Sequence, residues 1–196
     1  SGYVGEHDRR SQRIAEMTGI ERDDSGKEVG SGKEFEPLMD LLPVAIGLIA
    51  LIAAGVSDGG NDVLAIARTL VGAAFLGFVS DAMLLGHWYL VQPGMPRSIL
   101  NELVDALRWI LPIEIVVMLI PTGMISVLTG AVDDGWNGTL GWFWVACAVT
   151  TAVLIEVTRA ALKERSYSAV MAATGLLYLA ILTAFGTDLV ARAVLA

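Results

Sequence analysis

Five long apolar runs, separated by short polar turns, dominate the chain. They cover about residues 38–56, 63–91, 109–129, 139–158 and 167–190. Each is near the roughly 20 residues that a helix needs to cross about 30 Å of hydrocarbon. The runs are continuously apolar and rich in Ala and Leu, without the period-two alternation of barrel strands. Turns break them at Ser57–Asp62, Gln92–Arg97, Asp133–Gly138 and Ala160–Ser166, and Ser98–Arg108 reads as an amphipathic lead-in to the third run. The pattern predicts an all-α, polytopic integral membrane protein with five transmembrane helices and an N-terminal polar extension.

The extension covers residues 1–37. A short polar helix is expected over Asp8–Met17, stopped by Thr18-Gly19, and Gly26, Gly30 and Gly32 make the following stretch a flexible linker. No hydrophobic run of signal-peptide type occurs in it, so a cleaved secretory signal is not expected there. The arm is suited to docking on a partner or to staying a solvated tail.

Composition agrees with the pattern. The chain is 55% hydrophobic and 17% charged, with mean hydropathy +0.63, whereas soluble domains run near 45–50% and 25%. The net charge of −8 argues against nucleic acid and against a polybasic lipid-binding patch. Membrane lipids and other membrane subunits are the expected partners. The single cysteine, Cys147, precludes an internal disulfide and a cysteine metal site.

The basic residues predict orientation. Six Lys and Arg lie in the arm, Arg97 and Arg108 in the second connection, and Arg159, Lys163 and Arg165 in the fourth, leaving only Arg68 and Arg192 on the opposite side. The positive-inside rule then places the chain in the inner (cytoplasmic) membrane with its N-terminus cytoplasmic and its C-terminus outside.

Against that frame the candidate chemistry is sparse. Asp81 falls within the second run, where a carboxylate costs roughly 2.5–3.5 kcal/mol on insertion scales. His87, Trp88 and Tyr89 follow near the end of that run, and Glu114 lies between Pro112 and Pro121 in the third. The orientation places Asp81, His87, Glu114 and Glu156 together in the cytoplasmic half of the bilayer. Asp81 and His87 are six residues apart, hence about 120° apart around a helix and about 9 Å along it, and cannot form a same-face pair. Asp81 reads as a hydrogen-bonded structural acid or as a proton carrier. Glu114 reads as a partner for Arg108 across a bent first turn or as a group facing a polar cavity. His87 with Trp88 and Tyr89 reads as an aromatic belt, as a contact for a quinone headgroup, or as a single axial ligand to haem or a chlorin. Glu156 with Arg159, and Asp188 with Arg192, have the spacing of helical ion pairs. Ala73-xxx-Gly77, Ala82-xxx-Gly86 and Ala180-xxx-Ala184 are small-residue pairs that let helices approach.

Several functions are excluded by residue type. A bis-histidine haem site needs two membrane-depth histidines, and the second histidine, His7, is in the arm. No nucleotide-binding, serine-hydrolase or zinc-protease motif occurs, and the Glu-x-x-His pairs of carboxylate metal bundles are missing. With no self-sufficient catalytic motif, the expected role is an accessory subunit of a larger membrane complex, of the respiratory or another electron-transfer kind. There the cytoplasmic-side polar groups would contact a partner subunit, a quinone or a lipid. The alternatives are a stand-alone proton-coupled or quinone-linked protein using Asp81, Glu114 and His87, and a single-histidine haem- or chlorin-binding subunit.

Overall fold

The computed structural model describes residues 37–57, 62–92, 97–121, 123–164 and 166–195. The arm, with its expected helix and linker, and most of the turns at 57–62 and 92–97 lie outside the described residues. All regular structure among the described residues is helical: α1 Pro37–Ser57, α2 Asp62–Val91, α3 Ser98–Leu119, α4 Gly123–Leu128, α5 Thr139–Lys163 and α6 Tyr167–Leu195. Three of these, α2, α5 and α6, are long and apolar enough to cross a membrane. The residues divide into two compact units, 1–45 and 46–196. In the first, the described part is the start of α1, where Met39, Leu41, Leu42 and Val44 are exposed.

In the second unit α2, α3, α5 and α6 form a ring in which α2 packs on α3 and α6, and α5 packs on the same two helices. The ring encloses a core of Phe75, Val79, Leu100, Val104, Leu107, Ile155 and Leu177, with a second cluster of Met118, Met124, Val127, Trp144 and Ala191 at one end. Between apolar helices in lipid, association rests on close packing rather than on hydrophobic exclusion. The small residues serve that packing. Ala82, Ala180 and Ala184 are fully buried, and a Cβ on Gly86 would press on Thr174 Oγ1 at 2.8 Å. Gly77, in contrast, is exposed with nothing within 4 Å. Buried hydroxyls turn back to their own helix: Thr69, Thr151, Thr174 and Thr187 donate to the carbonyls four residues earlier. Thr151 Oγ1 also lies within hydrogen-bond distance of Thr183 Oγ1 across α5 and α6, at 2.8 Å.

α3 differs from its expected bounds. It begins at Ser98 instead of Trp109 and ends at Leu119, followed by the separate short α4, instead of running on to residue 129. The amphipathic lead-in and the apolar run are one helix because Leu100, Val104, Leu107, Leu111, Glu114 and Met118 make a single buried stripe at three- and four-residue spacing. The stop is set by Pro121. A residue before proline is pushed out of the helical region, and Ile120 is extended, at φ −88° and ψ 144°.

The α4–α5 loop is organised by Asp134. Its Oδ1 accepts the Trp136 and Gly138 amides at 2.9 and 2.8 Å, and its Oδ2 accepts the Leu140 amide at 2.9 Å. The carboxylate thereby covers donors at the start of α5 that have no helical partner. These amides hold its pKa below the usual carboxylate value.

Candidate functional site

The bundle carries two groups of polar side chains, one buried and one at its surface. The buried group gathers α2, α3 and α6. Asp188 on α6 is 6% exposed, and both its oxygens accept from Arg192 Nε at 2.9 Å. Arg192 Nη2 also donates to the Arg68 carbonyl on α2 at 3.0 Å. Arg68 turns to the broken end of α3, with Nε 3.3 Å from the Val117 carbonyl and Nη2 2.6 Å from that of Ile120. A cation there complements the partial negative charge of a helix C-terminus.

Glu114 completes the group. It is fully buried, both its carboxyl oxygens lack a hydrogen-bond partner among the described residues, and Asp188 and Arg192 are the charged groups that act on it. Gly72 makes the room, since a Cβ there would overlap Asp188 Oδ1 and the Arg192 guanidinium.

This placement corrects the expectation for Glu114. It is neither paired with Arg108 nor grouped with Asp81, His87 and Glu156. It belongs with Arg68, Asp188 and Arg192 toward the opposite end of the bundle. The reason is the earlier start of α3, which places Glu114 16 residues beyond Ser98, in the last third of the helix.

The surface group spans α3 and α5. Arg108 Nε meets Glu156 Oε1 at 2.7 Å, Arg159 Nη1 meets Glu156 Oε2 at 3.0 Å, and Arg159 Nε meets Asp105 Oδ1 at 2.6 Å. Asp81 stands at nearly the same level. Gly86 lies against Thr174 and Gly72 against Asp188, which places Asp81 opposite about Leu179 of the antiparallel α6. The Thr151–Thr183 bond and the Arg108–Glu156 pair carry that level to α5 and α3 within about one helical turn. Asp81 is exposed, and no hydrogen bond or ion pair joins it to a described residue. A recess of about 250 Å³ beside this network is lined by Asn101, Val104, Asp105, Arg159, Leu162 and Lys163. Its Asp105 and Arg159 are already paired with each other.

The trio at the end of α2 is divided by helical geometry. His87 and Trp88 are exposed, whereas Tyr89 is 4% exposed and belongs to the core. His87 Nδ1 is 3.4 Å from Tyr178 Oη of α6, with the rings edge to face at 6.4 Å between centroids. Trp88 Nε1 donates to Gln92 Oε1 at 3.1 Å. No group of three or more His, Cys, Asp or Glu suited to a metal ion occurs among the described residues.

Sequence reasoning assigned Arg68 only to an interface and did not single out Gly72, Asp105 or Tyr178. The available signal was Arg68, a lone base inside an otherwise apolar run, where it needs a polar partner. Comparison with known family models, with curated proteins and with solved structures finds no match to this chain.

Proposed function

We propose that this chain is a small multi-pass membrane subunit with α1, α2, α3, α5 and α6 as its five spans, and that it works inside a larger complex. The observation that carries the reading is an apolar collar beyond the surface charges. α2 has 30 residues, about 45 Å at 1.5 Å per residue, against about 30 Å of hydrocarbon. Asp62 to Asp81 already supplies the needed 20 residues. The level of Asp81, Arg108, Glu156 and Arg159 is then the membrane boundary, and the surplus of α2 extends past it. Leu84, Trp88 and Val91 on that surplus are exposed, at 59, 52 and 65%. Apolar side chains outside hydrocarbon call for protein cover.

The occupant we assign is another membrane subunit that lays an apolar surface on Leu84, Trp88 and Val91 and offers a basic side chain to Asp81. The charge count supports the base. Arg108 and Arg159 are engaged by Glu156 and Asp105, so no described cation at this level is left for Asp81. α1 carries no basic residue between Pro37 and Ser57. The basic-residue bias supports reading this end as the cytoplasmic side of an inner membrane.

A respiratory or other electron-transfer complex is the class we favour. His87 and Tyr178 form an outward pair of hydrogen-bonding groups in an apolar setting, the chemistry that a quinone headgroup needs. Extraction in mild detergent tests the reading. The native chain should migrate with a larger assembly, and Trp88→Ala combined with Asp81→Lys should release it. A native chain that migrates alone, with unchanged size in the double variant, would refute it.

A further inference from the structure

Among the described residues, Glu114 is the one fully buried ionisable side chain whose carboxyl lacks any donor. Each nearby base is committed elsewhere. Arg192 Nε is shared by the two oxygens of Asp188, and its Nη2 is given to the Arg68 carbonyl. Arg68 is committed to the carbonyls of Val117 and Ile120. The other packed elements supply nothing. α4 has no ionisable side chain. On α5, Cys147 faces Gly186, while Glu156 and Arg159 are held in the surface network with Arg108 and Asp105. An ionised carboxylate in such a place has no hydrogen bond, and the nearest base, Arg192, is already held by Asp188, a situation that burial penalises heavily. One bound proton removes both deficits. It neutralises Glu114 and turns one of its oxygens into a donor toward the Asp188 carboxylate. The cluster then has its two arginines balanced by Asp188 and by the C-terminal carbonyls of α3.

We propose that Glu114 and Asp188 form a proton-binding site inside the bundle, with the proton resident on Glu114 and shared with Asp188. The ligand is the proton itself. The bond formed on binding is the Glu114 O–H, and on release the proton passes to water. This goes beyond the subunit reading and does not depend on it, since every group involved lies in one chain.

Infrared spectroscopy of the purified protein at neutral pH tests the proposal. The wild type should show the C=O stretch of a protonated carboxylic acid that shifts only slowly after transfer to D₂O. Glu114→Gln, which mimics the protonated acid in shape and charge, should fold with near-native melting temperature and lose that band. Asp188→Asn should keep the band at a displaced frequency, because the acceptor of the shared proton has changed. A band that survives in Glu114→Gln, a Glu114→Gln chain that fails to fold, or a band unmoved by Asp188→Asn would each overturn the assignment.

Discussion

A methyl group at position 72 is the most informative small perturbation of the buried cluster. Built on the α2 backbone, it would lie 2.5 Å from Asp188 Oδ1 and closer still to the Arg192 guanidinium, where ordinary contact begins at 3.4 Å. Two terms oppose each other in Gly72→Ala. Alanine gains about 0.8–1.0 kcal/mol over glycine in a helix interior. Overpacking costs about 1–3 kcal/mol when neighbours move and the ion pair survives. If the pair is parted, Asp188 is left as an uncompensated buried charge, at about 3–5 kcal/mol. The clash involves both partners of the pair, and Asp188 is itself packed against the bundle, so neither can swing aside freely. The net expectation runs from about 0–2 kcal/mol of destabilisation where the pair survives to about 2–4 kcal/mol where it is parted. Gly77→Ala, on the same helix with open space at its Cβ position, receives the propensity term alone and should be neutral or about 1 kcal/mol more stable. Reversible unfolding of the isolated chain in detergent micelles, run on both variants, reads the difference. A Gly72→Ala protein as stable as Gly77→Ala would show that α2 does not press on the Asp188–Arg192 pair.

Three further outcomes follow from the packing. Leu107→Ala should lose about 2–5 kcal/mol, because Leu107 is fully buried in the ring, whereas Leu84→Ala at the exposed collar should leave the isolated chain unchanged; the same unfolding assay separates them. Thr151→Val should cost about 0.5–1.5 kcal/mol through loss of the bond to Thr183, and Thr183→Val should then add little in the double variant. For Asp134, whose folded pKa is depressed by the loop amides, the contribution to stability is present above the unfolded aspartate value, near 3.9, and is lost as pH falls through the lower folded value. The melting temperature of the wild type should therefore fall more steeply than that of Asp134→Ala on acidification below pH 4, and parallel curves would refute the cap.

The helices are legible where apolar periodicity is strong and obscure where charge interrupts it. α2, α5 and α6 follow from length and hydropathy alone. α3 does not, because Asn101, Glu102, Asp105 and Arg108 on its outward side masked the stripe that runs from Leu100 to Met118. A search for apolar windows therefore started the helix eleven residues late and placed Glu114 at the wrong end of the bundle. Only Pro121 breaks the chain, because Pro112 lies inside a helix whose buried stripe continues on both sides. The outward position of His87 and the inward position of Tyr89 follow from 100° per residue, but the choice of Tyr178 as neighbour needs the register of α2 against α6, which glycine–threonine contacts set and composition does not reveal.

The distribution of charge over the four helices explains why the least hydrophobic of them belongs in the ring. α3 is absent from the helices that qualify as membrane spans by hydropathy, yet three of its four charges, Asp105, Arg108 and Glu114, are placed by its neighbours. Asp105 and Arg108 face α5 and meet Arg159 and Glu156, so the pair of helices carries its charges as a mutually compensated set. Glu114 points inward, where Gly72 on α2 and Asp188 on α6 shape its surroundings. The three more apolar helices contribute few charges; Glu156 and Arg159 on α5 answer Arg108 and Asp105 on α3, and Asp188 and Arg192 on α6 answer each other. The least apolar helix of the ring is thus matched by complementary charges on α5, and the match depends on register. Sliding α3 by one turn, about 5.4 Å, would part Arg108 from Glu156 and carry Glu114 away from Asp188 together. Polar pairs in an apolar bundle contribute modestly to affinity, on average about 0.6 kcal/mol in a membrane setting, but a wrong register leaves several charges unmatched at once, and that penalty selects the observed arrangement.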